Sequence, residues 1–279
     1  MSNEKFNDLS TYIDFLDRIG DLRRITTEVD PVLEITEITC KTIEDDGPAL
    51  IFENVKGSEH PVATNLFGSE ERLKLALGCD PKELGEEILF FAEKVMPPKI
   101  DNIFNSLPFI KRITNFRSKS SLFGAPCQQI EDKSDLTTLP ILKCWPEDGG
   151  KFITMGLTIT QSPKNLKRNM GMYRLQMHDA NTLGMHWHPH KGGASHYHEA
   201  SQMGVDFPAA VILGGDPSLI FASIAPLPEN IDELLFSAFL KKKPIELTKA
   251  KTSGLRIPAN AEFVIEGSVP LGDTKLEGP

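Results

Sequence analysis

Six of the seven histidines lie between His178 and His198, and such a concentration of imidazoles needs a reason. In the segment His186-Trp187-His188-Pro189-His190 they are two residues apart, so an extended strand would place three imidazoles on one face. Neutral imidazole nitrogens bind transition metals. Imidazoles on a polar strand face can equally be solvated, and Pro189 cannot donate to a sheet ladder. Spacing alone therefore indicates a metal site of some kind and leaves the solvated alternative open.

The residues after the histidines offer groups for an anion and for a cation. Lys191-Gly192-Gly193 can cradle a phosphate, because glycine lets backbone N–H groups approach an anion closely, but a plain loop turn fits the same residues. Glu233 follows Asp232, a good helix cap, and by itself it is explained as a first-turn helix carboxylate. Glu262 and Glu266 are four residues apart and would share a strand face. Each acidic residue alone is a weak indication of a ligand.

The first hundred residues are predicted to alternate helices and strands. Apolar residues at helical spacing predict a helix over 8–19, with Gly20 as a left-handed cap. Pro31 is well tolerated in a first helical turn and predicts that a second helix begins there and runs to about residue 43. Further expectations are a strand at 49–52 and helices at 69–78 and 82–95. Pro97 and Pro98 end this run, and a connector to about residue 115 follows.

Short segments bounded by Gly, Pro and Asn predict strands after residue 150, which favours a small barrel or sandwich. The predicted strands are 152–161, 169–177, 183–188, 208–214, 218–224, 244–250 and 261–268. In the strand at 169–177, Met170, Met172, Arg174 and Gln176 would face one side and the odd-numbered residues the other. The chain is expected to be α+β, with an N-terminal α/β domain at 1–115 and a β-rich domain at 116–279.

Composition excludes several classes of function. The chain has 279 residues, 40% of them hydrophobic and 25% charged, which is typical of a folded globular protein. A net charge of -9, with no dense basic stripe beyond the run at 241–243, argues against a nucleic-acid partner. No signal peptide or long apolar segment occurs, so we expect a cytoplasmic protein. The four cysteines lack CxxC spacing and predict neither a zinc knuckle nor a disulfide framework.

Several longer strings resemble the UbiD family of carboxy-lyases, and in particular the 4-hydroxy-3-polyprenylbenzoate decarboxylases of ubiquinone biosynthesis. The resemblance covers essentially the whole chain and implies that the β-rich domain is a split β-barrel of the flavin-binding type. The strings are LEITEI at 33–38, GPALIFEN at 47–54, NLFG at 65–68, GAPCQQ at 124–129 and CWPED at 144–148.

The resemblance assigns roles to the residues that match the family's functional motifs. The segment 169–174 resembles the family's N-x-G-x-Y-R strand, which implies that Asn169 binds a metal and that Arg174 is catalytic. The segment 190–193 resembles H-[RK]-G-G, which implies that His190 is a second metal ligand. Glu233 stands at the third ligand position, and Glu277 in Leu276-Glu277-Gly278-Pro279 matches a catalytic glutamate. The residues implied to line the cofactor are Met172, Tyr173, Arg174, His186, Trp187, His188, Lys191 and Gly192.

The family's cofactor and partners follow from the same resemblance. It implies prenylated FMN anchored through Mn²⁺ or another divalent ion, with K⁺ held in some members by backbone carbonyls around Ala222, Ser223 and Ala225. The implied partners are an aromatic acid substrate, a flavin prenyltransferase that supplies the cofactor, and further copies of the full-length chain in a homo-oligomer. A lipid substrate would bring the protein into peripheral contact with the inner membrane.

The resemblance also implies a second catalytic acid beyond the LEGP string, and the sequence stops at Pro279. We therefore expect a truncated form with weak or no decarboxylase activity. Two alternatives stay open at this stage. One is a non-catalytic flavin-binding or assembly module on the same fold. The other is a zinc hydrolase built on the histidines, which would leave Asn169, Arg174 and Glu233 without a role.

Overall fold

The N-terminal part is a small α/β layer. The computed structural model describes residues 6–86, 89, 118–120, 124–227 and 231–278. Its first elements are α1 (Leu9–Arg18), β1 (Leu22–Ile25), α2 (Glu34–Glu44), β2 (Ala49–Phe52), β3 (Val62–Thr64) and α3 (Glu70–Leu77). The strands form a sheet in the order β1-β2-β3, in which β1 and β2 are parallel and β2 and β3 antiparallel. A further helix covers 81–86, and residue 89 is also helical. The other residues of the helix predicted at 82–95, and the predicted connector, lie outside the described residues.

Local sequence signals set the ends of α1, whereas a tertiary contact sets the start of α2. Asp8 caps α1 by accepting from the backbone N–H of Thr11 at 2.7 Å, and Gly20 follows the helix at φ 79°. The second helix begins at Glu34, three residues after the predicted start at Pro31. Leu33 is held out of the helix at φ 70°, and its N–H donates to the carbonyl of Lys143 at 2.9 Å.

The second part is a curled half-barrel. The strands are β4 (Lys119–Ser120), β5 (Lys151–Gln161), β6 (Arg168–Asp179), β7 (Thr182–Met185), β8 (Pro208–Leu213), β9 (Glu246–Lys249), β10 (Arg256–Pro258) and β11 (Phe263–Ser268). Five of them form an antiparallel sheet in the order β11-β8-β5-β6-β7, and the others form a sheet in the order β10-β9-β4. Leu157, Ile159 and Ile212 are fully buried between the two sheets and their helices. The mixture of helices and a curled sheet confirms the predicted α+β class.

Three helices complete the described chain: α4 (Gly192–Met203), α5 (Pro217–Ile224) and α6 (Glu233–Lys241). The predicted strand at 218–224 is wrong, since these residues belong to α5. Asp216 caps this helix through the Ser218 N–H at 2.8 Å, and Pro217 stands in its first turn. A short apolar run does not by itself distinguish a strand from a buried helix. Within the described residues, no helix is long and apolar enough to cross a bilayer.

Candidate functional site

Strand β6 carries the centre of the candidate site. Its pairing with β7 aligns Leu175 with Met185, and the N–H of His186 donates to the carbonyl of Arg174 at 3.4 Å. The strand β7 ends at Met185, so among the described residues no strand pairs with β6 from 168 to 172 on that edge. Side chains alternate between the two faces of β6, and even-numbered residues turn their backbone polar groups toward the free edge. Ligand groups can therefore reach this edge of the sheet.

Glu233 reaches the free edge from helix α6. Its carboxylate accepts from the backbone N–H of Met170 at 3.1 Å, while Asp232 caps the helix through the Leu234 N–H at 2.8 Å. Arg168 forms an ion pair with Asp232 rather than with Glu233. Burial raises the pKa of Glu233, although backbone hydrogen bonds oppose the shift. Glu233 is partly buried and forms no ion pair within the described part of the chain, although the charge of Arg168 favours its ionised form; a bound cation would favour that form further.

Asn169 lies on the other face of β6, against the first turn of α4. A Cβ added at Gly192 would overlap the side-chain Oδ1 of Asn169, so glycine is required for this close approach. The Asn169 Nδ2 donates to the Tyr173 hydroxyl at 3.4 Å, which orients the amide, and burial raises the pKa of Tyr173. Helix α4 is fixed to the sheet by the hydrogen bond between His196 Nδ1 and the Thr160 hydroxyl at 3.0 Å.

The N-terminus of α4 fits an anionic group. No side chain caps the helix, and Lys191 stands exposed at its cap position. The buried indole Nε1 of Trp187 finds no acceptor within the described ranges, and it lies 2.8 Å from the position that a Gly193 Cβ would take. First-turn N–H groups of a helix without a side-chain cap, a cation and an unused indole donor together match the needs of a phosphate, although the Gly193 N–H already donates to the Tyr173 hydroxyl. Beside them, the amide oxygen of Asn169 and the carboxylate of Glu233 are ligands suited to a hard divalent ion. The residues present therefore fit a flavin phosphate held through a metal.

The predicted extended strand of three imidazoles is wrong. Strand β7 ends before His186, and His190 lies exposed in a turn closed by the hydrogen bond from the Lys191 N–H to the His188 carbonyl at 2.9 Å. Among the described residues, His190 forms no hydrogen bond or ion pair with Asn169 or Glu233, and no three His, Cys, Asp or Glu side chains form a metal cluster. The position of His190, two residues before Gly192, keeps it near the amide. Its role as a ligand stays a prediction.

Arg174 and Glu277 meet at the other end of the site. Arg174 Nε lies 2.7 Å from Glu277 Oε1, and the other carboxylate oxygen contacts His186 Nδ1. The Arg174 guanidinium also lies over the ring of Phe152, 5.9 Å from its centroid. Burial raises the pKa of Glu277, but the hydrogen bonds of Arg174 and His186 outweigh it and bring the net pKa below the usual range.

The segment that carries Glu277 is anchored by residues that sequence reasoning missed. The Gly278 N–H donates to Oε1 of buried Gln176 at 3.0 Å, and Gly149 touches the Gly278 backbone so closely that a Cβ there would overlap it. Strand alternation already placed Gln176 on the face of Arg174, so that signal was present. Nothing in the sequence indicated Gly149.

The remaining predicted residues lie around this centre. Met172 is partly buried and packs on the main core of the half-barrel, and the exposed His188 ring lies 6.4 Å from that of His186. Ala222 and Ser223 lie in the last turn of α5, and Ala225 follows as its cap. Carbonyls at a helix C-terminus lack helical partners. The K⁺ site stays a prediction.

Comparisons with known proteins agree with this architecture. The family described as 3-octaprenyl-4-hydroxybenzoate carboxy-lyase Rift-related domain (UbiD) matches residues 119–279, and the corresponding N-terminal domain family matches 13–91. An evolved dimeric form of the UbiD-class enzyme HmfF from Pelotomaculum thermopropionicum, in complex with prFMN, is 30% identical with a TM-score of 0.83, covering 98% of this chain and 60% of that one.

Two further structures are similar. Vanillic acid decarboxylase from Sedimentibacter hydroxybenzoicus in its closed form is 25% identical with a TM-score of 0.83, covering 99% of this chain and 57% of that one. A 3,4-dihydroxybenzoic acid decarboxylase from Enterobacter cloacae shares the fold at 23% identity and a TM-score of 0.78, covering 97% and 55%. The chain thus spans 55% to 60% of the length of these three structures.

Proposed function

The chain belongs to the UbiD family, and from that premise we propose that it binds prenylated FMN through a divalent metal and decarboxylates an aromatic acid. The substrate is 4-hydroxy-3-polyprenylbenzoate, the product is 2-polyprenylphenol, and the role is in ubiquinone biosynthesis. The choice of substrate is supported by the strings that resemble the ubiquinone-pathway branch. The metal is Mn²⁺ or another divalent ion, held by Asn169, His190 and Glu233.

One observation carries the proposal. The partly buried carboxylate of Glu233 accepts from the Met170 N–H at the edge of β6, and the amide of the neighbouring residue Asn169 packs against the first turn of α4, a helix without a side-chain N-cap. A buried carboxylate without an ion-pair partner is costly unless a cation neutralises it. A helix N-terminus next to that cation suits the phosphate of a flavin.

The residues of this chain divide the work of the reaction. When bound, prenylated FMN supplies an electron sink for the carbanion that decarboxylation leaves. Arg174, half-exposed at 54%, is accessible to a carboxylate substrate and holds Glu277 beside it. The Glu277 carboxylate contacts His186 Nδ1, and the proton of this contact lies where a general acid or base is needed. Met172, Tyr173, Trp187, His188, Lys191 and Gly192 surround the cofactor.

Reconstitution tests the proposal. The protein is incubated with prenylated FMN and Mn²⁺, gel-filtered, and examined for co-eluting flavin absorbance and metal. Asn169→Ala and Glu233→Gln should each lose both signals, whereas Glu246→Gln, an exposed carboxylate on β9, should retain them. Absence of flavin from the native protein at saturating metal would refute the proposal.

Product analysis separates the enzyme from a binding module. A protein that retains flavin is incubated with 4-hydroxy-3-polyprenylbenzoate, and CO₂ and the phenol are measured. Release of both supports the decarboxylase. Retained flavin without CO₂ from this acid or from vanillic acid would favour the non-catalytic module.

The proposed partners have their own measurements. A flavin prenyltransferase supplies the cofactor, so co-expression with one should increase the flavin content. The lipid substrate would bring the protein to the inner membrane, which flotation with vesicles that contain a polyprenylbenzoate tests. Light scattering after gel filtration tests the homo-oligomer.

A further inference from the structure

His186 and Arg174 form a cross-strand pair. The register that aligns Leu175 with Met185 continues by one residue, because the His186 N–H still donates to the Arg174 carbonyl at 3.4 Å. Directly opposed residues of an antiparallel pair project from the same face with their Cβ atoms about 5 Å apart. The two side chains therefore leave the sheet side by side, although His186 is beyond the end of β7.

Both members of the pair contact the carboxylate of Glu277. Arg174 contacts Oε1 of Glu277, and His186 Nδ1 contacts Oε2. One residue further along the chain, Gly278 is anchored to Gln176, on the same face of β6. His186 thus hydrogen-bonds one oxygen of the carboxylate, and Arg174 makes an ion pair with the other.

We propose that His186 is a positioning residue, whose Nδ1–H donates to Glu277 and holds this carboxylate against Arg174. The assignment rests on the proposed function for its catalytic consequence, but the contact itself can be measured without cofactor. Imidazole suits the task because the carboxylate fixes the tautomer with the proton on Nδ1.

The charged groups around Glu277 support this role. Arg174 and His186 face it from the sheet, with the His188 ring 6.4 Å beyond that of His186. On its own segment, Lys275 lies 3.8 Å from Asp179 and is engaged there. The hydrogen bonds of Arg174 and His186 lower the pKa of Glu277 against the opposing effect of burial.

Two amide variants of His186 test whether Glu277 needs a donor at the place of Nδ1 or only a polar side chain at this position. The amide nitrogen of His186→Asn occupies the place of Nδ1, whereas that of His186→Gln reaches the place of Nε2 and cannot donate to Glu277 in the same geometry. His198→Gln is the matched control, since His198 is exposed on α4 and contacts Gln202. Both positions are exposed, and thermal melting verifies that each of the three variants folds.

The primary measurement is a pH titration of the Glu277 carboxyl by ¹³C NMR, with the resonance assigned by its loss in Glu277→Gln. Glu277 should titrate at a higher pH in His186→Gln than in the native protein, while His186→Asn and His198→Gln should leave it unchanged. In the reconstituted enzyme, kcat should fall about tenfold in His186→Gln, as expected for one charge-assisted hydrogen bond, with KM unchanged and with recovery in His186→Asn.

The outcomes distinguish the inference from the proposed function. An unaltered Glu277 titration in His186→Gln, or the same shift in His186→Asn, overturns the positioning role even in an active decarboxylase. A protein that binds no flavin but shows the expected titration pattern refutes the proposed function and supports the contact.

Discussion

Replacing Gly192 with alanine should weaken metal and flavin binding without unfolding the protein. A Cβ at this position would overlap Asn169 Oδ1, and it would lie 2.7 Å from Cγ and 3.2 Å from Cβ of the same residue. Rotation of the terminal amide cannot relieve the contact with Cγ, so the whole Asn169 side chain must leave its present orientation. The amide oxygen would then no longer be presented at the edge of β6.

The two effects of this substitution differ in size. Alanine is favoured over glycine in a helix by up to about 1 kcal/mol, and a distorted side-chain rotamer costs about 0.5–1.5 kcal/mol. The free energy of unfolding should therefore change by less than about 1 kcal/mol. Displacing a metal ligand by disturbing its support commonly lowers metal affinity about 10- to 100-fold.

Isothermal titration with Mn²⁺ in the presence of the flavin, next to urea denaturation, measures both quantities. Gly85→Ala is the control, since Gly85 lies in the helix at 81–86 and a Cβ there would meet no atom of the described residues within 4 Å. It should leave affinity unchanged and raise stability slightly. If Gly192→Ala binds as tightly as the native protein while Asn169→Ala does not, the packing of Asn169 against α4 does not present the ligand.

Three further predictions concern stability. Tyr12→Phe should lower the free energy of unfolding by about 1–3 kcal/mol in urea, because the buried hydroxyl contacts two backbone carbonyls at 2.9 and 3.0 Å that would lose their donor; no change would contradict this account. Asp216→Ala should lower the free energy of unfolding by about 3–5 kcal/mol, because it leaves Lys241, 7% exposed, as a buried unpaired cation. Adding Lys241→Met should recover most of this loss. If the effects of the two substitutions are instead additive, the ion-pair argument is wrong. Folding lowers the pKa of Glu277, so the stabilisation that its carboxylate provides should be present above the unfolded-state pKa and lost as the pH falls through the folded-state pKa. The difference in the free energy of unfolding between the native protein and Glu277→Gln should therefore shrink with acidification. A constant difference would exclude the ion pair.

The boundaries of helices and strands were predicted correctly where they depend on neighbouring residues alone. The helix α1 lies within the predicted range because Asp8 and Gly20 act on their own neighbours along the chain. The strand at 49–52 was also predicted correctly, since four consecutive buried residues form a parallel strand core. Helix α2 begins three residues late because Leu33 is tied to Lys143, about 110 positions away, which no local pattern contains.

The sequence likewise predicted one part of the candidate site and not the other. Period-two alternation placed Arg174 and Gln176 on one face of β6, and the family resemblance singled out Asn169, Glu233 and Glu277 by their motifs. The predicted strand of three imidazoles is wrong because the pairing of β7 with β6 ends after the hydrogen bond from His186 to Arg174, and no ladder aligns His188 and His190. Gly149 escaped notice because its partner, Gly278, is remote in the chain.

The sequence by itself determined the α+β class, most of the elements and the residue types able to bind a metal and a phosphate, because caps, turns and periodicity act over a few neighbouring residues. Only the tertiary structure decided that Glu233 reaches the backbone of Met170, that Gly192 lies against Asn169, and that His186 shares Glu277 with Arg174. These contacts depend on the register of the sheet and on how α4 and α6 pack against it. Such relations join residues too distant along the chain for any local pattern to encode.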